Sequence, residues 1–377
     1  MSSSRELYTR LVQTLSPLVN VAHIAHLTNW VWIVVGIVQA NSVALSHIAT
    51  HIPGSAQAES RVTTIRRWLK NFRVDVWEFY RPVLEHVLQG WQAVTAVVIL
   101  DGVMVFGDRW QIFRLSLAHG GRAIPLVWLV VPGKGLTQME KLEAMLRRAA
   151  TFLNGRVKGV LFLADSGFRD CDWADLCLKI GWNYGIRIAC NTYVTLTSGW
   201  YGSIQALGVK PGQRRYYQRV WLTQAQKLCT NLTVTWTPGD EQHPPELLAL
   251  ISNQPAARAR LREYAVRMHT EESFRDDKSG GFDMAHTRLQ HADRLERLLL
   301  ALAIATLWCH ELGEHVLEQG EAARRAIDPG PTRELSLFQL GLRWLKRCVS
   351  TNLCLLPAFL ARLSPLKRFV IVRVGLS

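Results

Sequence analysis

The chain has 377 residues, of which 49% are hydrophobic and 20% charged, and this composition excludes a disordered or fibrous protein. Lysine and arginine total 44 against 30 acidic residues, and the formal net charge of +14 favours nucleic acid as the partner class. Charge alone leaves two other interpretations open, a merely basic protein and a binder of membrane surfaces.

The sequence offers no sign of export or membrane insertion. The first residues contain no compact apolar region ending in a cleavage site, and the longest apolar runs fall short of the ~20 residues that cross a bilayer. The seven cysteines form no Cys-x-x-Cys pair, which argues against a disulfide framework and a zinc ribbon. We therefore expect a cytoplasmic protein with no membrane partner.

Residues 1–90 are predicted to be helical, because apolar residues recur at intervals of three and four and hairpin signals are few. Within residues 42–74, a short helix, a break at Pro53-Gly54 and a basic helix follow one another. This is the order of a helix-turn-helix reader of DNA. A plain helical bundle with a solvated basic face explains the same pattern, so both interpretations stay open on these residues alone.

The pattern changes after residue 90. The apolar run AVVIL predicts a central strand, and two alternating stretches separated by Gly120-Gly121 predict a hairpin. A predicted helix over 136–153 then leads to a second apolar strand, VKGVLFLA, and another helix and strand complete residues 91–190. Strands that come first, followed by alternating helices and strands, indicate a mixed α/β sheet.

Residues 191–253 are rich in Thr, Tyr, Trp and Gly and predict a small β-rich insertion. Helices are predicted after it over 256–279 and 286–318, with shorter ones beyond. The C-terminal region 313–377 combines basic and apolar residues and is a candidate for subunit pairing.

Two aspartates follow buried strands. Asp101 comes after VVIL and Asp165 after VLFLA, so we expect each carboxylate at the C-terminal end of a strand, where open α/β sheets place ligand sites. Taken singly, each position is more typical of a turn. If the two strands are neighbours, however, the paired carboxylates repel each other unless a cation is present, and oxygen ligands of this kind suit Mg²⁺ or Mn²⁺.

A third carboxylate is predicted in the segment YAVRMHTEESFRDDKSGG. At ~100° per residue, one helical face within an arc of about 60° carries a phenol, a guanidinium, a carboxylate and an ammonium. These residues are Tyr264, Arg267, Glu271 and Lys278. Glu272 points away from that face, so Glu271 is the better ligand. A solvated helix with intrahelical ion pairs, such as Glu271 with Arg275, is the alternative interpretation.

The spacing of these four residues resembles the signature of the bacterial insertion-sequence-four family of cut-and-paste DDE transposases. That signature is Tyr, two residues, Arg, three residues, Glu, six residues, Lys, and the sequence matches it without a gap. Phe274 falls where the family commonly carries an aromatic residue. Asp101 in VVILDG and Asp165 in LFLADSGF resemble the two aspartates of such enzymes, and the resemblance covers about residues 60–312.

The resemblance implies an α/β fold in which a β-rich insertion interrupts an RNase H-like mixed-sheet catalytic core, with helical N-terminal and C-terminal regions. The parts are a helical DNA-binding region (1–90), the first part of the core (91–190), the insertion (191–253) and the second part of the core with the glutamate helix (254–312). Residues 313–377 match nothing in the family, and their basic and apolar residues make this helical C-terminal region a candidate for dimerisation.

The resemblance also implies roles for individual residues. Asp101, Asp165 and Glu271 would be catalytic and would hold two Mg²⁺ or Mn²⁺ ions, while Tyr264, Arg267 and Lys278 would contact phosphates near the cleaved end. The segment TTIRRWLKNFRV resembles the N-terminal motif of these enzymes, whose candidate DNA contacts here are Arg66, Arg67, Lys70 and Asn71. An insertion tryptophan would stack a flipped base, and the candidates are Trp200, Trp221 and Trp236.

The implied function is excision and strand transfer of a mobile element in bacteria by a nucleoid-associated protein. Its partners would be double-stranded DNA with terminal inverted repeats, target DNA and a second copy of the chain on that DNA. The sequence contains no phosphate-binding Gly-rich loop, so we expect no nucleotide cofactor. Two alternatives stay open: an RNase H-like nuclease or resolvase that does not join, and a catalytically silent repressor derived from a transposase.

Overall fold

The computed structural model describes residues 3–133, 139–165, 170–223, 228–239, 244–284, 288–351 and 363. Helices precede a mixed β-sheet along the chain, connect its strands and follow it. Among the described residues, no helix is long and apolar enough to span a membrane.

Five helices precede the sheet. They are α1 Ser3–Leu15, α2 Ile24–Ala40, α3 Leu45–Thr50, α4 Ala58–Lys70 and α5 Val76–Val87. The centre of this group is α2, which carries no charged side chain and buries nine of its residues. It meets α3 closely, because a Cβ at Gly36 would lie 2.5 Å from the Ile48 side chain. The short helix, the break and the basic helix predicted for 42–74 are confirmed as α3 and α4.

Ten strands form one sheet in the described part of the chain. They are β1 Thr95–Val105, β2 Trp110–His119, β3 Arg122–Pro132, β4 Gly159–Ala164, β5 Asn183–Ile188, β6 Tyr193–Thr195, β7 Tyr201–Ser203, β8 Arg214–Leu222, β9 Leu228–Trp236 and β10 Leu247–Ser252. Their order across the sheet is β3-β2-β1-β4-β5-β10-β9-β8-β6-β7. The pairs β1–β4 and β4–β5 are parallel and the others are antiparallel, so the predicted mixed α/β sheet is confirmed.

The strands of residues 191–253 continue this sheet. Strand β10 pairs with β5 on one side and with β9 on the other, and β8, β6 and β7 follow outward. The predicted β-rich character of this segment is therefore confirmed, and its backbone hydrogen bonds join it to β5, the neighbour of the strand that Asp165 follows.

The remaining helices connect the strands or follow them. They are α6 Met139–Leu153, α7 Asp170–Lys179, α8 Arg258–Ala265, α9 Met268–Arg275, α10 Ala292–Glu318, α11 Glu321–Arg325 and α12 Leu337–Ser350. Of the 27 residues of α10, 19 are buried, and α12 packs against it with backbone in contact, since a Cβ at Gly341 would clash with the Cys309 carbonyl. The predicted C-terminal region is described only to residue 351 and at Leu363, and the rest lies outside the described residues.

Candidate active site

Asp101 and Asp165 lie side by side where the parallel pairing of β1 with β4 ends. The last paired residues are Leu100 and Ala164, so the two aspartates follow at the same level on neighbouring strands. The prediction that Asp101 ends its strand is wrong, because β1 continues to Val105 through its pairing with β2. What ends before Asp101 is only the pairing with β4. The Ser166-Gly167 pair after Asp165 lies outside the described residues.

Both aspartates belong to the face of the sheet on which α8 and α9 lie. Side chains alternate along a strand, so Asp101 shares a face with Val97 and Ile99, and Asp165 shares one with Leu161 and Leu163. Those four apolar residues form a small buried cluster with Val266. Val266 therefore anchors the segment between α8 and α9 just beneath the two carboxylates.

The predicted single helix over 256–279 is wrong. Helix α8 ends at Ala265 and α9 begins at Met268, and the Arg267 amide donates to Tyr264 three residues back. The burial of Val266 against the strands favours this break. After Arg275 the chain forms a single π-helical turn in which Lys278 adopts the non-helical angles φ −85° and ψ −107°. The four signature residues consequently do not share one continuous helical face.

Three of the signature residues nevertheless stay together. The Arg267 guanidinium carbon lies 5.9 Å from the centre of the Tyr264 ring, and Arg267 Nη2 donates to Glu271 Oε1 at 2.5 Å. Lys278 is half-buried, and no hydrogen bond or ion pair links it to the three carboxylates within the described ranges. Its predicted place beside Glu271 is not observed, because the π-helical turn displaces it from the helical register.

Arg267 is the centre of the carboxylate cluster, which we define as Asp101, Asp165 and Glu271. Its Nη1 lies 3.4 Å from Asp101 Oδ2, and its Nη2 lies 3.2 Å from Asp165 Oδ2 as well as contacting Glu271. One buried guanidinium thus faces three carboxylates. The side chains of Asp101, Asp165 and Glu271 are 16%, 29% and 43% exposed, so the cluster opens to solvent on the Glu271 side.

A second arginine approaches the carboxylate cluster, and sequence reasoning missed it. Arg187 Nε on β5 lies 3.8 Å from Asp165 Oδ1, while Arg187 Nη2 contacts Glu246 at 2.7 Å. Because Arg187 is shared with Glu246, the cluster keeps an excess of negative charge. The register that brings Arg187 to Asp165 depends on the β4–β5 pairing, which leaves no motif in the sequence.

Burial and charge oppose each other at this site. Burial raises the pKa of the Asp101 carboxyl, whereas Arg267 and the amide of Gly102 lower it in part. Burial alone would lower the pKa of Arg267, but Tyr264 and the three carboxylates raise it above its ordinary value. Arg267 is therefore charged at every physiological pH.

The oxygen donors of the carboxylate cluster fit a hard divalent cation such as Mg²⁺ or Mn²⁺. As the side chains stand, no three His, Cys, Asp or Glu residues of the described chain are grouped closely enough to hold a metal ion. Arg267 lies among the three carboxylates instead. The Arg267 guanidinium occupies the position where the three carboxylates stabilise a positive charge.

Two ion pairs join the π-helical turn that follows the glutamate helix α9 to the hairpin β2–β3. Arg114 Nη1 contacts Asp277 Oδ2 at 2.5 Å with both side chains about 5% exposed, and Arg122 Nε contacts Asp276 Oδ2 at 2.6 Å. The Arg114 guanidinium also lies 4.1 Å from the centre of the Phe274 ring. In the sequence, Asp276 and Asp277 look like part of a charged helix surface. Their pairing with Arg122 and Arg114 was therefore not predicted.

The predicted DNA contacts of α4 fall into two groups. Arg66, Arg67 and Lys70 are exposed, whereas Asn71 is half-buried and its amide nitrogen lies 3.0 Å from His26 Nε2. Asn71 Oδ1 also accepts from the Arg73 amide, so both polar atoms of Asn71 are engaged within the chain. A cleft of about 160 Å³ beside α4 is lined by Arg66, Leu69, Arg288, Leu289, Gln290, His291 and Arg294.

The three candidate tryptophans differ in exposure. Trp221 on β8 is 41% exposed, whereas Trp236 is partly buried and donates from Nε1 to the Val209 carbonyl at 2.7 Å. The ring of Trp200 covers Gly202, where a Cβ would lie 2.8 Å away. Of these three, only Trp221 presents a large exposed aromatic surface.

No protein-family model matches the sequence, and no curated protein matches it. Among solved structures, a cryo-EM structure of a piggyBac transposase synaptic complex with hairpin DNA is similar to this chain, with a TM-score of 0.44 and 9% sequence identity. The similarity covers 92% of this chain and 82% of that chain.

Proposed function

We propose that this chain is a DNA transposase of the DDE type, which cuts DNA at the ends of a mobile element and joins those ends to target DNA. The observation that carries the proposal is the convergence of Asp101, Asp165 and Glu271 on one guanidinium. Carboxylates gathered in this way repel one another unless cations are present. Such a site is suited to stabilise divalent cations next to a phosphate.

In this proposal, Asp101, Asp165 and Glu271 hold two Mg²⁺ or Mn²⁺ ions. When bound, ions of this kind supply an activated oxygen nucleophile and stabilise the departing 3′ oxygen. The donor chemistry fits, since all three side chains offer carboxylate oxygens and the cluster already stabilises the positive charge of Arg267.

The protein's own residues would position the DNA. Arg267 has the planar fork of donors that suits a phosphate, and a phosphate oxygen would compete with the carboxylates for the same N–H groups. Contact of Arg267 with the scissile phosphate therefore requires it to leave at least one carboxylate. Tyr264 lies beside the guanidinium and limits the directions in which it can turn. Holding the phosphate in line with the attacking oxygen lowers the entropic part of the barrier.

Two surfaces would bind DNA away from the carboxylate cluster. The exposed side chains of Arg66, Arg67 and Lys70 on α4 would contact duplex phosphates of a terminal repeat, where contacts release counterions and make the affinity depend on salt. Trp221 is the candidate for stacking an unpaired base, because its ring is exposed while those of Trp200 and Trp236 pack within the protein.

The proposed function also assigns parts of the fold to a catalytic core and an insertion. We place an RNase H-like core on the strands β3-β2-β1-β4-β5, which carry both aspartates, and on α8 and α9, which carry the glutamate. The β-rich segment 191–253 would be the insertion that interrupts this core. A homodimer formed on DNA, with residues 313–377 in subunit pairing, and a place in the bacterial nucleoid belong to the same proposal.

The direct test is cleavage and joining of linear DNA that carries the sequences flanking the gene, with Mg²⁺ present. Wild type is compared with Asp101→Ala, Asp165→Ala and Glu271→Ala, and Glu143→Gln on α6 serves as a control, because Glu143 pairs only with Arg147 at the surface. We expect cleaved and joined products from wild type and the control, and DNA binding without products from the three alanine variants. Cleavage without joining would assign a nuclease, and binding without cleavage would assign a repressor.

A further inference from the structure

A cavity of about 510 Å³ lies beside α9. The flank of the helix that lines this cavity is next to the flank that carries Glu271. Arg267 and Glu271 reach the carboxylate cluster, whereas Met268, His269 and Glu272 of the same helix line this cavity. The turn at Gly120-Gly121 and the segment that precedes α12 form the other walls. The cavity is thus lined in part by α9, but the residues of the carboxylate cluster do not line it.

Basic side chains approach this cavity from three elements of the fold. Arg122 comes from β3, Arg262 from α8 and Arg333 from the segment that precedes α12. Arg122 already pairs with Asp276 and Glu272. Arg262 and Arg333 form neither a hydrogen bond nor an ion pair within the described ranges of the chain. Two guanidiniums are thus available to a ligand.

Arg333 lies near both an anion and a second guanidinium, and one ring nitrogen of His269 has no hydrogen-bond partner in the described structure. Desolvation lowers the pKa of Arg333, Asp328 opposes this shift, and the nearby charge of Arg122 lowers the pKa further. His269 Nδ1 is buried without a hydrogen-bond partner in the described structure.

The rest of the lining restricts the class of ligand. Glu272 is engaged by Arg122 and Arg275, which leaves Glu334 as the other carboxylate of the wall. Apolar groups of Ala265, Val266, Met268 and Leu335 complete the lining, and Met268 is 40% exposed. A ligand that joins an anionic group to a less polar body matches this combination of arginines and apolar surface.

We propose that this cavity binds a phosphate ester, with Arg262 and Arg333 as charge-assisted donors, His269 as a hydrogen-bond partner and Met268 against the adjoining sugar or base. The source that fits best is the phosphodiester backbone of a nucleic-acid strand running along α9, and this choice rests on the proposed function. A free nucleotide offers the same chemistry, and the experiment separates the two sources.

The test compares wild type with the double variant Arg262→Ala/Arg333→Ala, which removes two exposed side chains. Arg147→Ala on α6 is the control, since it removes an arginine charge at the surface outside the cavity. The affinity for a linear DNA duplex is measured over a range of salt concentrations. Loss of two phosphate contacts should reduce the slope of log Kd against log salt by about 2 in the double variant, and Arg147→Ala should match wild type.

A calorimetric titration with AMP and with inorganic phosphate, in the absence of DNA, identifies the source. Saturable AMP binding that disappears in the double variant, with the DNA slope unchanged, would assign the cavity to free nucleotides. Unchanged DNA slope and unchanged AMP affinity in the double variant would overturn the proposal. A wild-type protein that binds no DNA would instead overturn the proposed function, so the two failures are distinguishable.

Discussion

Two groups of arginines and carboxylates lie on either side of α9, and they differ in how their charges are matched. In the supporting pairs, Arg114 meets Asp277 and Arg122 meets Asp276 at 2.5 and 2.6 Å. In the carboxylate cluster, Arg267 faces three acidic side chains, and Arg187 approaches one of them while it also pairs with Glu246. The pair of Arg114 with Asp277 is balanced and buried, whereas the carboxylate cluster has an excess of acidic groups and opens to solvent.

The difference separates stability from function. A buried pair of opposite charges holds two elements together, and removing one partner leaves the other charge buried without compensation. An excess of carboxylates contributes repulsion instead, and arrangements of this kind are enriched at functional sites. The imbalance, more than the burial, is the feature on which the proposed role of the carboxylate cluster rests.

The largest expected effect concerns activity. Asp101→Asn should reduce DNA cleavage by at least about 10³-fold, because loss of a metal-binding carboxylate removes several kcal/mol of transition-state stabilisation. The free energy of unfolding should not decrease, since the substitution relieves repulsion among the three carboxylates. Single-turnover cleavage and urea unfolding measure the two quantities. A large loss of stability would mean that Asp101 belongs with the structural pairs.

The next effect concerns stability. Asp277→Asn should lower the free energy of unfolding by about 3 kcal/mol, because it leaves the Arg114 guanidinium buried without a counter-charge. The double variant Arg114→Met/Asp277→Leu, which removes both charges, should recover most of that loss. Urea denaturation compares the three proteins. If the single variant unfolds within about 0.5 kcal/mol of wild type, the pair does not stabilise the fold as described.

A smaller effect is expected at Arg267. Arg267→Gln leaves the three carboxylates without their shared guanidinium, so we expect a lower melting temperature in the absence of divalent ions. Added Mg²⁺ should raise that melting temperature by more than it does in wild type, since the ion meets no competing cation. Thermal unfolding with and without MgCl₂ provides the comparison. An equal rise in both proteins would show that Arg267 does not compete for the carboxylates.

The smallest effect is a pH dependence. The pKa of His269 is about 4 in the fold and 6.5 ordinarily, so its neutral form is favoured and its contribution to stability is complete above pH 6.5. That contribution is lost as the pH falls from 6.5 towards 4, and the loss reaches about 2 kcal/mol at pH 5. His269→Gln should therefore lose less stability than wild type between pH 7.5 and pH 5 in urea unfolding. Identical losses would contradict the assignment.

The sequence predicted the order of elements better than their limits. The central strand, the hairpin at Gly120-Gly121 and the helix–break–helix order of residues 42–74 are present because their signals are local, namely alternation, apolar runs and a Pro-Gly break. The straight helix through Tyr264 and Lys278 is absent, because α8 ends at Ala265, α9 begins at Met268, and Lys278 leaves helical angles in the π-helical turn after Arg275. The spacing of the four signature residues gave no sign of these interruptions.

The candidate site shows the same limit. Asp101, Asp165 and Glu271 were predicted from motifs, and the structure brings them together around Arg267. Arg187 and the pairs of Arg114 and Arg122 were missed, since each depends on strand register or on contacts between residues more than 100 positions apart. Asn71 fitted a DNA-contact motif, yet its side chain bonds within the chain, which only the position of His26 reveals.

Calorimetric titration with Mn²⁺ shows whether the carboxylate cluster binds divalent cations. We expect wild type to bind Mn²⁺ with an affinity that weakens at least about tenfold in each of Asp101→Asn, Asp165→Asn and Glu271→Gln, while Glu143→Gln matches wild type. Affinity that is unchanged in all three variants would contradict the account, because the ions would then bind elsewhere.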